Sequence, residues 1–208
     1  MTDQKDYLLV VDDIPDILTL LDATLSFKGY RVVTALNGQE ALEQIQRERP
    51  ALIIADILMP KMDGFSLVHR LRINPETRDI PVVFLSATYV TPEDKEFALT
   101  IGVTRFIEKP VDLEQFVPVI AELLARRPAS HQTLNEFDFY EGYRQRLETK
   151  LRQKNTQIAR DTHLLETLSG EEKKTIEVAL QQAEREREDL QNLLDQIHDQ
   201  LETLKKQD

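Results

Sequence analysis

Ala51-Leu52-Ile53-Ile54-Ala55-Asp56-Ile57-Leu58-Met59-Pro60-Lys61-Met62-Asp63-Gly64 runs from an apolar stretch, through a carboxylate at its end, into a turn. Beyond the turn, Phe65, Val68 and Leu71 recur at helical spacing. An apolar run this short, bounded by turn residues, suits a buried strand, and Asp63-Gly64 supplies turn and cap chemistry. The same unit repeats on both sides. Runs at Tyr7–Val11, Arg31–Thr34, Val82–Leu85 and Arg105–Ile107 alternate with helix-period sets such as Ile17, Leu18, Leu21 and Leu25, or Ala41, Leu42 and Ile45. Helix caps are expected at Asp13 before Ile14-Pro15, at Thr91 before Pro92-Glu93-Asp94, and at Asp112 before Leu113. Five βα units in series imply a parallel sheet covered by helices on both faces. Pro118 falls about two turns into the last helix, where it removes a hydrogen bond at a cost of ~3 kcal/mol, so a kink or a late helix start is expected.

Past Arg126 the composition changes. Arg127-Pro128-Ala129-Ser130-His131-Gln132-Thr133 reads as a linker, after which glycine and proline almost vanish. The expected division is a domain at 1–126, a linker at 127–133 and a helical coiled-coil tail at 134–208. In the tail, Ile176, Leu180, Ala183, Arg187, Leu190, Leu194, Ile197, Leu201 and Leu204 follow steps of four and three, apolar except at Arg187. That is a coiled-coil seam. Upstream, Tyr140, Leu147, Leu151, Ile158, Leu165 and Leu168 form a weaker stripe broken by Lys154 and Asp161. Between the two, Gly170 permits a turn, and Ser169 with Glu172 has capping-box spacing. An antiparallel helical hairpin is therefore expected, with Asp161 accepting Arg187. The second stripe carries more apolar surface than the first can cover, which predicts a homodimer through the tail, two hairpins forming a four-helix bundle.

With 208 residues, the chain accommodates one well-packed domain and an appendage. No apolar run approaches the length of a membrane span, so no membrane partner is expected. The absence of cysteine excludes disulfide and thiol chemistry, and the polar stretch Met1–Asp6 lacks the apolar core of a secretory signal, so a cytoplasmic protein is expected. The net charge of -11 divides into -7 for residues 1–126 and -4 for the rest. Neither part offers the basic face that nucleic acid requires, and no nucleic-acid partner is expected.

In an open parallel sheet, ligands gather beyond the carboxyl ends of the strands. The residues there are Asp12-Asp13, Asp56, Ser86 and Lys109. Carboxylates brought together repel by ~4 kcal/mol per pair at 4 Å and an effective dielectric of 20 unless a cation balances them. Oxygen ligands suit Mg²⁺, which takes one or two carboxylates, keeps waters and completes its shell with phosphate oxygens. Lys109 adds a point charge, and Ser86 a hydroxyl able to donate to a phosphoryl oxygen.

Val10-Val11-Asp12-Asp13, Asp56 to Gly64, Leu85-Ser86-Ala87 and Glu108-Lys109-Pro110 occur in this order, each after an expected strand. Together with Asn37-Gly38-Gln39-Glu40-Ala41-Leu42, they resemble the CheY-like receiver domain of two-component response regulators, over residues 5–126. The resemblance implies an α/β fold, a doubly wound five-stranded parallel sheet of flavodoxin-like type, followed here by the helical hairpin or coiled coil. It implies that Asp56 accepts a phosphoryl group from a histidine kinase or phosphotransfer protein. Asp12, Asp13, Asp56 and the backbone carbonyl of Leu58 then hold Mg²⁺, while Ser86 and Lys109 bind phosphoryl oxygens. Lys109-Pro110 is expected to be cis, aiming the lysine. Ser86 and Phe106 occupy the positions of a switch pair, although Phe106 keeps only the ring of the more usual tyrosine.

Plainer readings compete for single residues. An isolated loop aspartate is ordinarily a cap or a solvated turn residue, and Asp63 is read that way. Phe106 serves equally well as core. His163 does not sit in a kinase phosphorylation box and reads as a solvated helix histidine. The expected function is a response regulator of a phosphorelay, itself no enzyme beyond intrinsic Mg²⁺-dependent autophosphorylation and autodephosphorylation. It signals through receiver rearrangement and its tail to a downstream protein. The alternative is a phosphotransferase or phosphatase acting through a four-helix bundle of tails, with Glu141 and Gln145 or His163 as the candidate groups.

Overall fold

Each apolar run forms a strand: β1 Tyr7–Val11, β2 Arg31–Ala35, β3 Leu52–Asp56, β4 Val82–Ser86 and β5 Arg105–Glu108. They alternate with α1 Pro15–Phe27, α2 Gly38–Arg47, α3 Gly64–Ile73, α4 Pro92–Thr100 and α5 Leu113–Ala125. The computed structural model describes residues 7–86, 92–125, 134–166 and 169–206, without the side chains at 86, 92, 93 and 171. The chain divides into two compact units, Met1–Leu134 and Asn135–Asp208.

The first unit is a parallel sheet in the order β2-β1-β3-β4-β5. The central strands are covered on both faces, which is why their sequences are uninterrupted apolar runs, whereas β2 and β5 lie at the edges and carry exposed residues. One face packs Leu8, Val10, Leu52, Ile54, Val83 and Leu85 against Leu18, Leu21 and Leu25 of α1 and Phe116, Ile120 and Leu123 of α5. On the other, Phe65 of α3 meets Phe84 of β4 edge-on, with ring centres 5.2 Å apart. Strand order reverses between β1 and β3, and that switch point is where such sheets open a crevice.

One local expectation changes and another narrows. Asp13 does not cap α1. The N-cap is Ile14, with no side-chain cap bond, and it is Asp12 Oδ1 that accepts the Ile14 amide at 3.0 Å. Asp12 is 1% exposed, while Asp13, the next residue, is exposed. The last helix does not start late either, but begins at Leu113 under Asp112, whose Oδ1 accepts the Glu114 amide at 3.0 Å, and runs through Pro118. The carbonyl left without its donor is that of Glu114, which like Pro118 sits on an exposed face. The expected Thr91 cap and the linker 127–133 lie outside the described residues.

The second unit is a helical hairpin, α6 Glu136–Leu165 and α7 Gly170–Lys205. Its sense follows from charge contacts: Glu141 feels Lys205, Glu148 lies 3.9 Å from His198, and Lys154 lies 2.7 Å from Glu186. Partner numbers fall as position rises, so the helices are antiparallel. Leu190, Leu194, Ile197 and Leu201 are each 8% exposed or less. Arg187 does not meet Asp161. The register sets residues 186–187 beside Lys154, which needs a carboxylate, so Glu186 turns inward and Arg187 outward; Asp161 is held by its neighbour Arg160 at 3.2 Å. Ser169 makes no capping bond, because Gly170 makes the turn at φ +69°, away from the helical geometry a capping box needs. Among the described residues no helix is long and apolar enough to cross a membrane.

Candidate functional site

The ends of β1 and β3 bring Asp12 and Asp56 to the two sides of the switch point, and the residue after β5 is Lys109. Its ammonium bridges them, with Nζ 2.7 Å from Asp12 Oδ2 and 2.7 Å from Asp56 Oδ1. The other Asp56 oxygen, Oδ2, accepts the Leu58 amide at 2.9 Å. The amide of Asp12 donates to the Ala35 carbonyl at 3.2 Å, tying the pocket to the end of β2. Lys109-Pro110 is cis.

The groups are under electrostatic tension. Burial pushes the Asp56 carboxyl above its ordinary value, against the opposing pull of the Lys109 hydrogen bond and charge. Asp13 is raised by burial and then by the neighbouring charge of Asp12. Burial alone would lower Lys109, but its bonds to Asp12 and Asp56 more than offset this and hold it above its usual value. Asp12 and Asp56 thus share one ammonium, and with Asp13 beside them the three acids carry a formal excess of two negative charges over it. Among the described residues no ready cluster of three metal-ligating side chains exists. That does not conflict with Mg²⁺, which needs only one or two carboxylates beside water and phosphate oxygens. The donor set and its charge excess fit a hard divalent cation.

Gly64 is a positioning residue that its turn reading did not reveal. A Cβ there would stand 2.5 Å from the Asp56 carbonyl oxygen, so only glycine lets α3 start against the end of β3. Asp63 is the α3 cap, accepting the Ser66 amide at 3.0 Å and its hydroxyl at 2.8 Å. Phe106 is half-buried, edge-on to Phe84 at 6.4 Å, with the Lys95 ammonium 5.9 Å above its ring. Ser86 ends β4, and its side chain lies outside the described residues. Leu58 is 53% exposed beside Asp56. In the hairpin, Glu141 is engaged by Arg144 and by Gln145 at 3.3 Å, and His163 is solvated beside Glu166 at 3.4 Å.

Fold and pocket define a doubly wound α/β domain with an acidic, lysine-bridged crevice at its switch point. The response regulator receiver domain matches residues 8–121, and the chain belongs to that family. It is 39% identical over 115 residues to an uncharacterized 14.6 kDa protein of Leptolyngbya boryana, covering 55% of this chain and 87% of that one. Response regulator Rre1 of Synechocystis is 36% identical over 130 residues, covering 62% of this chain and 56% of Rre1, so the chain spans about half the length of that regulator. Among solved structures, the chemotaxis response regulator CheY4 of Vibrio cholerae superposes with a TM-score of 0.54 at 32% identity, over 58% of this chain and 99% of CheY4. Membership places the domain in two-component signalling, as a phosphoacceptor rather than an enzyme of the usual kind, with a histidine kinase or phosphotransfer protein as its implied partner.

Proposed function

We propose that Asp56 is the phosphoacceptor, in a Mg²⁺ site made with Asp12, Asp13 and the Leu58 carbonyl. The observation that carries this is the Lys109 ammonium held at 2.7 Å from both Asp12 and Asp56, at the switch point. An Asp56 carboxylate oxygen forms the new bond to phosphorus as the bond to the donor imidazole breaks, and the imidazole nitrogen keeps the electron pair and takes a proton. Bound Mg²⁺ neutralises charge on the carboxylates and the phosphoryl oxygens. Lys109 then shifts from Asp56 to a phosphoryl oxygen, Ser86 donates to another, and Phe106 responds to the change at Ser86. The same pocket is proposed to accept phosphoryl groups from small donors and to release them to water.

The hairpin is the proposed route to a downstream protein and to a second copy of the chain. Most of the α7 stripe is already buried, so a second copy has the half nearest the turn to work with: half-buried Ile158, Leu165, Ile176 and Leu180, and exposed Leu164 and Val178. A cytoplasmic setting accords with the role.

Beryllofluoride, which occupies the place of a phosphoryl group, tests the site. Fluorine NMR should show bound beryllofluoride only with Mg²⁺, and Asp13→Ala and Asp56→Asn should each abolish the signal. A retained signal in Asp56→Asn would place the acceptor elsewhere.

A further inference from the structure

The turn between β2 and α2, residues 35–38, touches both acidic loops. The Ala35 carbonyl accepts the Asp12 amide at 3.2 Å, and the Gly38 amide donates to the Met62 carbonyl at 2.9 Å. Met62 lies in the loop that starts at Asp56 and ends at the α3 cap. The need for glycine at 38 comes from space: a Cβ would stand 2.8 Å from the Met62 carbonyl oxygen and 2.8 Å from Met62 Cγ. Turning the Met62 side chain aside removes only the second contact; the first is with backbone. The turn itself is fastened. Asn37, 2% exposed, accepts the amides of Gln39 and Glu40 at 3.1 and 3.0 Å, while the Glu40 carboxylate accepts the Leu36 amide at 3.1 Å and the Asn37 side-chain amide at 2.8 Å. Across the gap, Lys61 takes a left-handed φ of +64°, and its ammonium lies 3.8 Å from Glu40. A non-glycine residue persists in that conformation only where its surroundings hold it.

We propose that Gly38 is a positioning residue for the metal and phosphoryl pocket. Through Met62 it sets the path of residues 57–62, and so the place where the Leu58 carbonyl and the Asp56 carboxylate meet a cation. Gly38 touches none of the reacting atoms. The inference rests on the Mg²⁺ reading above, and an alanine at position 38 cannot be seated without a shift between the 35–38 turn and the loop at Met62.

The test is a Mg²⁺ titration of the full chain, followed by the amide NMR shifts of residues 56–63, for the wild type, Gly38→Ala and Gly29→Ala. Gly29 is the control: at φ +88°, with nothing within 4 Å of a Cβ, alanine strains the backbone far from the pocket. Gly38→Ala should weaken Mg²⁺ binding roughly tenfold or more, as loss of an outer support does at metal sites. Gly29→Ala should lower the urea midpoint yet bind Mg²⁺ like the wild type. Equal affinity in Gly38→Ala, or an equal loss in Gly29→Ala, would overturn the positioning role alone. A wild type that binds no Mg²⁺ would overturn the metal reading and this inference with it. Should Gly38→Ala not fold, wild-type hydrogen exchange decides. By reciprocity, Mg²⁺ with beryllofluoride must slow exchange at the Gly38 amide more than at the Tyr30 amide, which bonds Leu25 after α1. Equal slowing contradicts the proposal.

Discussion

At Asp56 two forces oppose each other, and burial outweighs the attraction of Lys109, so the carboxyl is raised. A folded-state value above the unfolded one means that ionised Asp56 destabilises the metal-free protein at neutral pH. The penalty is present above the folded value and disappears as pH falls below the unfolded one. Asp56→Asn should therefore stabilise the metal-free fold at pH 7 by on the order of 1 kcal/mol, with Lys109 still held by Asp12. Urea unfolding in a chelator checks this, and the gain should shrink as pH is lowered. A lower midpoint for the variant would mean that the Lys109 attraction exceeds the cost of burial. The acids, the lysine and their order were legible in the sequence because each lies within two residues of the end of an apolar run. The separate fates of Asp12 and Asp13 were not legible, because β1 is buried on both faces and its alternation marks no solvent side. Gly38 and Gly64 were not either, because what makes each of them glycine is a backbone atom that folding brings against it, the carbonyl oxygen of Met62 and that of Asp56.

The elements divide in the same way. The strands could be read closely because a parallel sheet buries its centre on both faces, leaving no polar interruption. The hairpin could be read as two helices and a turn, but its register depends on which polar residue faces which, and there Lys154 with Glu186 replaced the expected Arg187 with Asp161. Burial alone would raise Glu186, but hydrogen bonds from Lys154 and Gln182 outweigh it and hold the carboxyl below its usual range. A depressed folded value contributes stability that is present above the unfolded value and lost as pH falls through the folded one. Lys154→Ala should cost about 1–2 kcal/mol at pH 7, between an exposed pair and a fully buried one. Thermal unfolding of the hairpin signal should show the two proteins converging as pH drops below the ordinary carboxylate range. A difference that persists in acid would assign the loss to the packing of the Lys154 stem.

For the whole molecule, the proposed tail-mediated dimer now rests on the half of the hairpin nearest its turn, a smaller apolar surface than the sequence stripe suggests. Light scattering should give twice the 24.1 kDa chain mass at micromolar concentration, and Leu180→Glu should return it to one. A monomer at all concentrations would leave the hairpin closed on itself and available only to a different protein. Such an outcome would leave the pocket reading untouched, since every described contact of the pocket lies within residues 7–125. Whether Asp56 takes the phosphoryl group is decided by peptide mapping with mass spectrometry, after the full chain has reacted with a small phosphodonor and Mg²⁺. One phosphoryl group is expected, on Asp56, absent when Mg²⁺ is chelated and absent from Asp56→Asn. A phosphoryl group found on another residue of the wild type would contradict this assignment.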